Sequence, residues 1–213
     1  MMATTHALAG MALASVATLF APEFAPVAVV TAGAGGAFPD LDTPGRHRRT
    51  LHYPLYYSLV AVGLLAVAVV VPTPVTVALA AFIGAAALHS VSDVLGGGLE
   101  LRPWEGTSEQ AVYEHYHGRW LRPRRWVRYD GSPEDVALAG VFAVPTLAFA
   151  GEPVGATAPS GGFVSTLVVA LVGLSVAYGL VRKPLVVLGE WLVATLPPSV
   201  VDRLPGSFAD DLQ

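Results

Sequence analysis

His89 and Asp93 stand four residues apart near the end of an apolar run, about Pro74 to Leu95, that holds no other ionisable residue. That spacing puts both on one face of a helix, so an imidazole and a carboxylate project together from the end of a hydrophobic rod. Ionisable groups are costly in a membrane-length segment, which makes a functional site the first hypothesis for them. Similar groups recur upstream. His6 precedes the first apolar run, Asp40 and Asp42 close the second in Phe-Pro-Asp-Leu-Asp, and His47 and His52 lie in the loop before the third. Two or three imidazoles with carboxylates make the ligand set of zinc, manganese or iron. One or two such ions would lower the pKa of bound water and polarise a phosphoryl or carbonyl oxygen.

Each of these residues also has a bland reading. Asp-Leu-Asp after a proline could be a turn or a helix cap. A histidine at a helix start is usually structural, and His89 with Asp93 could be a hydrogen-bonded pair packing two helices together. What favours the metal is that all of them are expected at one membrane face, and that expectation rests on the elements that carry them.

The 213 residues are 54% hydrophobic and 13% charged, with a mean hydropathy of +0.58. Soluble domains carry roughly 25% charged residues, so the balance points to a membrane protein. With no cysteine in the chain, disulfides, thiolate nucleophiles and cysteine-based zinc sites are excluded. A net charge of −4 gives no indication of nucleic-acid binding.

Residues 55–71, 74–95 and 163–181 each suit a span, which takes roughly 17–25 residues. Segment 136–150 is shorter and carries Pro145, which predicts a kinked or neighbour-supported helix. Runs 7–20 and 27–38 are short, so they form either two short spans or a re-entrant hairpin. A cleaved signal peptide is the competing reading, but its basic leading region is missing, since no Lys or Arg precedes Arg46.

The twelve basic residues fall into three stretches. These are Arg46, Arg48 and Arg49; Arg102 with Arg119, Arg122, Arg124, Arg125 and Arg128; and Arg182, Lys183 and Arg203. The alternate connections, 21–26, 72–74 and 151–162, contain none. Six passes would place every basic residue on one face, which the positive-inside rule makes cytoplasmic, with both termini inside the cell.

The expected architecture is therefore an all-α polytopic bundle of about six passes. Residues 1–95 carry the metal site, and 96–135 form a basic and aromatic cytoplasmic loop or cap. Residues 136–183 form a second membrane hairpin. Residues 184–213 form an interfacial helix, with Glu190 beside Trp191, and an acidic tail. In the cap, Arg and Trp alternate over 119–128. This pattern could stack nucleic-acid bases, but it better suits the lipid headgroup layer. His115 and His117 are expected at the surface.

Thr-His at 5–6, Phe-Pro-Asp-Leu-Asp at 38–42, His-Arg-Arg-Thr-Leu-His at 47–52 and His-Ser-Val-Ser-Asp at 89–93 together resemble the YdjM-like family of inner-membrane putative metal-dependent hydrolases. The likeness covers about the first 100 residues. The same order is similar to the zinc-dependent phospholipase C and P1-type nuclease group. That resemblance implies one metal on His52, His89, Asp93 and either Asp40 or Asp42, and a second on His6 with Asp93 bridging. A further His and His-x-x-x-Glu set found in that group is missing here. The implied activity is hydrolysis of a phosphate ester. Arg46, Arg48 and Arg49, between Asp42 and His52, either anchor the topology or supply Arg48 to neutralise a phosphate, and Thr50 could orient a ligand or water. The non-enzymatic alternative is a metal or proton transporter, or a scaffold. A transporter needs polar groups near mid-bilayer, whereas these cluster at one end.

Overall fold

The computed structural model describes residues 1–149 and 161–197. Six α-helices make up most of it: α1 (Ala3–Ala17), α2 (Ala25–Ala37), α3 (Pro54–Val70), α4 (Pro74–Ser92), α5 (Pro133–Phe149) and α6 (Gly161–Thr195). Three segments are long and apolar enough to cross a membrane: Pro22–Asp42, which is α2 with its flanking 3₁₀ turns, Pro74–Leu95 and Gly162–Thr195. α1 and α3 are apolar but shorter. Prolines open α3 and α4 in their first turns, where a missing N–H costs no helical hydrogen bond. α4 also has a reciprocal Thr73–Thr76 capping box.

α1 and α2 form a tight antiparallel hairpin, built on small residues that let backbones approach. A Cβ on Gly10 would lie 2.7 Å from the Ala32 carbonyl oxygen and 2.8 Å from the Ala85 Cβ. At Gly36 it would collide with the backbone of His6. Leu8, Met11, Val29, Ala32, Ala85, Ala139 and Val168 fill the centre between α1, α2, α4, α5 and α6. The outward faces stay apolar. Leu59, Val62 and Val69 of α3, Val141 and Val144 of α5, and Val169 and Leu180 of α6 are all exposed, as suits a bundle bathed in hydrocarbon.

Two elements depart from expectation. Where a loop was expected, residues 112–121 form a small antiparallel hairpin, β1 (Val112–Glu114) with β2 (Arg119–Leu121), paired Val112 to Leu121, Tyr113 to Trp120 and Glu114 to Arg119. Gly118 supplies the positive φ that its turn needs. At the C-terminal end, one 35-residue helix replaces the expected membrane helix and separate interfacial helix. It runs straight through Pro184, which removes one backbone donor without ending the rod. At about 1.5 Å per residue, α6 is roughly 52 Å long, well beyond a hydrocarbon core of about 30 Å. α5 likewise continues through Pro145. The expected acidic tail lies largely outside the described residues.

The cap is tied to the bundle end by backbone hydrogen bonds. Arg124, Arg125 and Val127 donate to the carbonyls of Val94, Gly96 and Leu95, and so satisfy the end of α4. Tyr113 N–H donates to the Arg48 carbonyl, and His115 Nε2 to the Arg49 carbonyl at 2.7 Å. Every described basic residue lies at this end, either in the cap, in the 43–53 loop or in α6 from Arg182 onward.

Candidate metal centre

Four side chains from three parts of the chain converge beneath the cap: Asp40, His52, His89 and Asp93. Asp40 comes from the 3₁₀ turn Phe38–Asp42 that ends α2, and His52 from the loop leading into α3. His89 lies in the last turn of α4, and Asp93 opens the 3₁₀ turn that follows it.

Their inward atoms are evenly spaced. His52 Nε2 and His89 Nε2 lie 3.2 Å apart, and each is 3.4 Å from Asp93 Oδ2. Asp40 Oδ1 is 3.4 Å from His89 Nε2 and 3.7 Å from His52 Nε2. A tetrahedral ion with arms of about 2.0–2.2 Å has edges of about 3.3–3.6 Å, so these five separations lie close to the edges of a zinc-sized tetrahedron, and all four atoms lie within 4.8 Å of one another.

The hydrogen bonds behind the cluster fix what the inward atoms offer. His89 Nδ1 meets the Gly36 carbonyl at 2.6 Å, and a carbonyl only accepts, so Nδ1 carries the proton. His52 Nδ1 donates in the same way to Asp42 Oδ2 at 3.0 Å. With Nδ1 committed in both rings, Nε2 is the atom each turns toward the cluster, and the two Nε2 atoms approach to 3.2 Å. When both rings are neutral, these two nitrogens and the two carboxylate oxygens are four acceptors gathered at one place. Asp93 Oδ2 is buried and has no hydrogen-bond donor among the described residues. A buried convergence of acceptors is costly unless a cation shares it. The pocket as a whole favours positive charge. Burial opposes protonation of His52, yet the hydrogen bond to Asp42 and the negative charge of Asp93 outweigh it and raise its pKa above the ordinary value.

The other expected ligands stand around this set. Asp42 does not face the cluster. Its Oδ2 takes His52 Nδ1 and the Leu51 N–H, while Oδ1 takes His47 Nδ1 at 3.0 Å and the Arg48 N–H. A carboxylate with four donors is a staple for the 42–52 loop, and it orients His52 from behind, as outer partners of metal-bound histidines do. His6 contacts the opposite oxygen of Asp93, with Nε2 to Oδ1 at 2.9 Å, and stacks on His89 with ring centres 3.7 Å apart. The Met1 nitrogen reaches the same Oδ1 at 2.9 Å.

Arg48 is buried at positive φ, with Nη1 donating to the Gly97 carbonyl and Nε 3.4 Å from Asp93 Oδ2. Burial opposes its charge, but Asp93 chiefly, and Asp130 and Asp40 further off, raise its pKa above the ordinary value. It stands as a counter-ion beside the inward oxygen of Asp93. Thr50 is not brought to the cluster; it is exposed, and its hydroxyl donates to the Arg46 carbonyl. His47, absent from the expected ligand set, is recruited through Asp42; its position five residues before His52 in a loop gave no such signal. His115 stacks on Tyr53, and His117 is an exposed partner of Glu114, so neither approaches the site.

Of the four side chains, Asp40 is the most exposed. Its side chain is 16% exposed, against 1% or less for His52, His89 and Asp93. The neighbouring Leu41 is 68% exposed, so the mouth of the cluster is partly apolar.

No protein-family model, curated protein or solved structure matches this chain.

Proposed function

We propose that this is a six-pass, metal-dependent hydrolase of the cytoplasmic membrane that acts on a phosphate ester at the cytoplasmic face, with both termini on that side. The observation that carries this reading is the convergence of three buried side chains and the partly exposed Asp40 at separations close to tetrahedral edge lengths, with Nδ1 of both histidines held from behind. Zinc suits the two imidazoles and two carboxylates; manganese and iron accept the same donors. Such an ion, when bound, supplies an activated water and a Lewis acid. The chain's own residues do the rest. Asp42 and Gly36 hold the two imidazoles in register, and Arg48 offsets the charge of Asp93. Asp40 forms the side of the site that a substrate reaches first. A second ion on His6 and the far oxygen of Asp93 would have to replace the contacts that His6 and the Met1 nitrogen make with that oxygen. A lipid-borne ester suits a mouth flanked by exposed Leu41 at the bundle end.

The same geometry supports one rival. Four protein ligands fill a tetrahedron, and closed four-ligand sites are the structural kind, whereas catalytic zinc keeps a place for water. On the hydrolase reading, the partly exposed Asp40 would be the member of the set that leaves room for water. On the rival reading, the ion only locks α2, α3 and α4 together.

Elemental analysis of detergent-purified protein, paired with hydrolysis of bis(p-nitrophenyl) phosphate, separates the two. Near-stoichiometric metal with metal-dependent turnover is expected. Bound metal with no turnover on any phosphate ester leaves the structural rival, and protein that binds no divalent metal removes both.

A further inference from the structure

Beside the end of α4 lies a cleft of about 380 Å³ lined by Val94, Glu109, Leu121, Arg122, Pro123 and Arg124. Its floor is apolar (Val94, Leu121, Pro123), and its rim carries two guanidinium groups and one carboxylate. From this we infer that the cleft is a binding site for the phosphate of an anionic phospholipid headgroup, separate from the metal centre and independent of its chemistry.

Three observations support it. The first is depth. Arg124 N–H donates to the Val94 carbonyl at 2.8 Å, one residue past Asp93 at the end of a membrane-length helix, so the cleft is held where headgroups would lie. The second is chemistry. Arg122 is 82% exposed, and Arg124 is exposed with no ion pair among the described residues. Guanidinium groups bind phosphate oxygens in a bidentate fork, and Pro123 between them is buried, which turns its neighbours outward. Glu109 holds Arg122 at 3.0 Å and lies 3.9 Å from Arg125. The rim therefore carries a net positive charge, with Glu109 the one competitor for Arg122 among the lining residues. The third is the surroundings. Trp126, two residues on, is 73% exposed, and an outward tryptophan beside arginines is the pattern of the membrane–water interface. Nucleic acid is less well served, because the aromatic rings near Arg119 pack on each other, Trp120 against Tyr113 at 5.4 Å, and offer no stacking row.

Native mass spectrometry of the full chain in detergent tests this, using phosphatidylglycerol, phosphatidylcholine and inorganic phosphate as separate probes. Wild type is expected to retain phosphatidylglycerol over phosphatidylcholine, and the R122A/R124A variant to lose about tenfold or more of that preference. Glu109→Gln frees Arg122 and is expected to raise retention. Both variants should keep wild-type metal content, which shows that the bundle is intact whether or not the metal centre is catalytic. Equal retention in wild type and R122A/R124A overturns the inference. So does binding of inorganic phosphate alone, or displacement of the lipid by a single-stranded oligonucleotide.

Discussion

The two ends of α4 show how differently this chain treats polar groups. At its start, Thr73 and Thr76 cap one another, and the helix then runs through side chains that carry no charge until His89. At its end, within five residues, His89 and Asp93 meet Asp40, His52, His6 and Arg48, and the cap closes over them with three backbone hydrogen bonds. The first end needs only its own threonines. The second depends on partners 37 to 87 residues away. Local capping can be replaced by water, but a convergence of buried acceptors needs positive charge within the protein, from a shared cation, a proton or the neighbouring Arg48. Changes at the second end should therefore reach across the whole bundle, and changes at the first should stay local.

The largest effect is expected from His89→Ala. It deletes one vertex of the tetrahedron and the hydrogen bond to Gly36, and leaves Asp40, His52 and Asp93 without a fourth ligand. Metal content by elemental analysis should fall to near background, and metal should no longer raise the thermal midpoint. Full retention of metal in this variant would falsify the assignment of the cluster. Thr73→Ala, at the other end of the same helix, should leave metal content unchanged and cost only a cap, roughly 1 kcal/mol.

Asp42→Asn sharpens the contrast between a ligand and the residue behind it. The side chain stays the same size, but the charge that polarises His52 and anchors the loop is lost. Affinity for zinc should drop about 10–100-fold while some metal is still bound at saturation, as for outer partners of metal-bound histidines. Asp40→Asn should weaken zinc too, and on the hydrolase reading it should also change turnover at saturating metal, because Asp40 is the most exposed of the four. If the two variants behave alike in both assays, the distinction drawn here between the two aspartates is lost.

That distinction also marks how far the sequence could be read. The His89–Asp93 pair, His52 and the one-sided arginines were legible, because helical spacing and charge asymmetry are local patterns. Asp40 and Asp42 were not separable. They share a 3₁₀ turn, and at three residues per turn two positions apart point about 120° from each other, so one meets α4 and the other the loop. Only the path of the 43–53 loop decides which is which. Thr50 looked well placed by proximity to His52, yet the turn that puts Arg48 at positive φ faces Thr50 outward. The hairpin at 112–121 was hidden by its shortness, three residues to a strand, although Gly118 and the alternation in Val-Tyr-Glu hint at it. Arg182, Lys183 and Pro184 looked like a helix end. The structure instead anchors that stretch, with Arg182 on Asp130 and Lys183 over the rings of Trp104 and Tyr129.

pH offers a smaller effect whose sign separates loaded from metal-free protein. The folded pKa of His52 is raised above its ordinary 6.5, because its carboxylate partners outweigh burial. In metal-free protein, protonated His52 then contributes stability that is complete below about pH 6.5 and is lost as pH rises through the raised value. A bound metal needs the neutral ring, so metal affinity should move the other way and weaken as pH falls. Thermal midpoints measured with chelator and with zinc should therefore diverge as pH rises through that window. Parallel curves would mean that no ion competes with the proton at His52.

The smallest effect is expected at the far side of the cap, where α6 extends beyond the bundle and Glu190 takes Arg102 through two hydrogen bonds of 2.7 and 2.6 Å. The geometry is as good as any in the molecule, and its setting is the reverse of the metal centre. The Arg102 side chain is 46% exposed, so water and salt screen the pair, and each partner can be rehydrated when the other is removed. Arg102→Ala should leave metal content at the wild-type level and shift the thermal midpoint by less than Asp42→Asn does, with any shift vanishing at high salt. A shift as large as that of Asp42→Asn, or one accompanied by metal loss, would mean that the far end of α6 and the metal centre form one cooperative unit. The contrast between a screened surface tie and a buried convergence would then no longer hold for this protein.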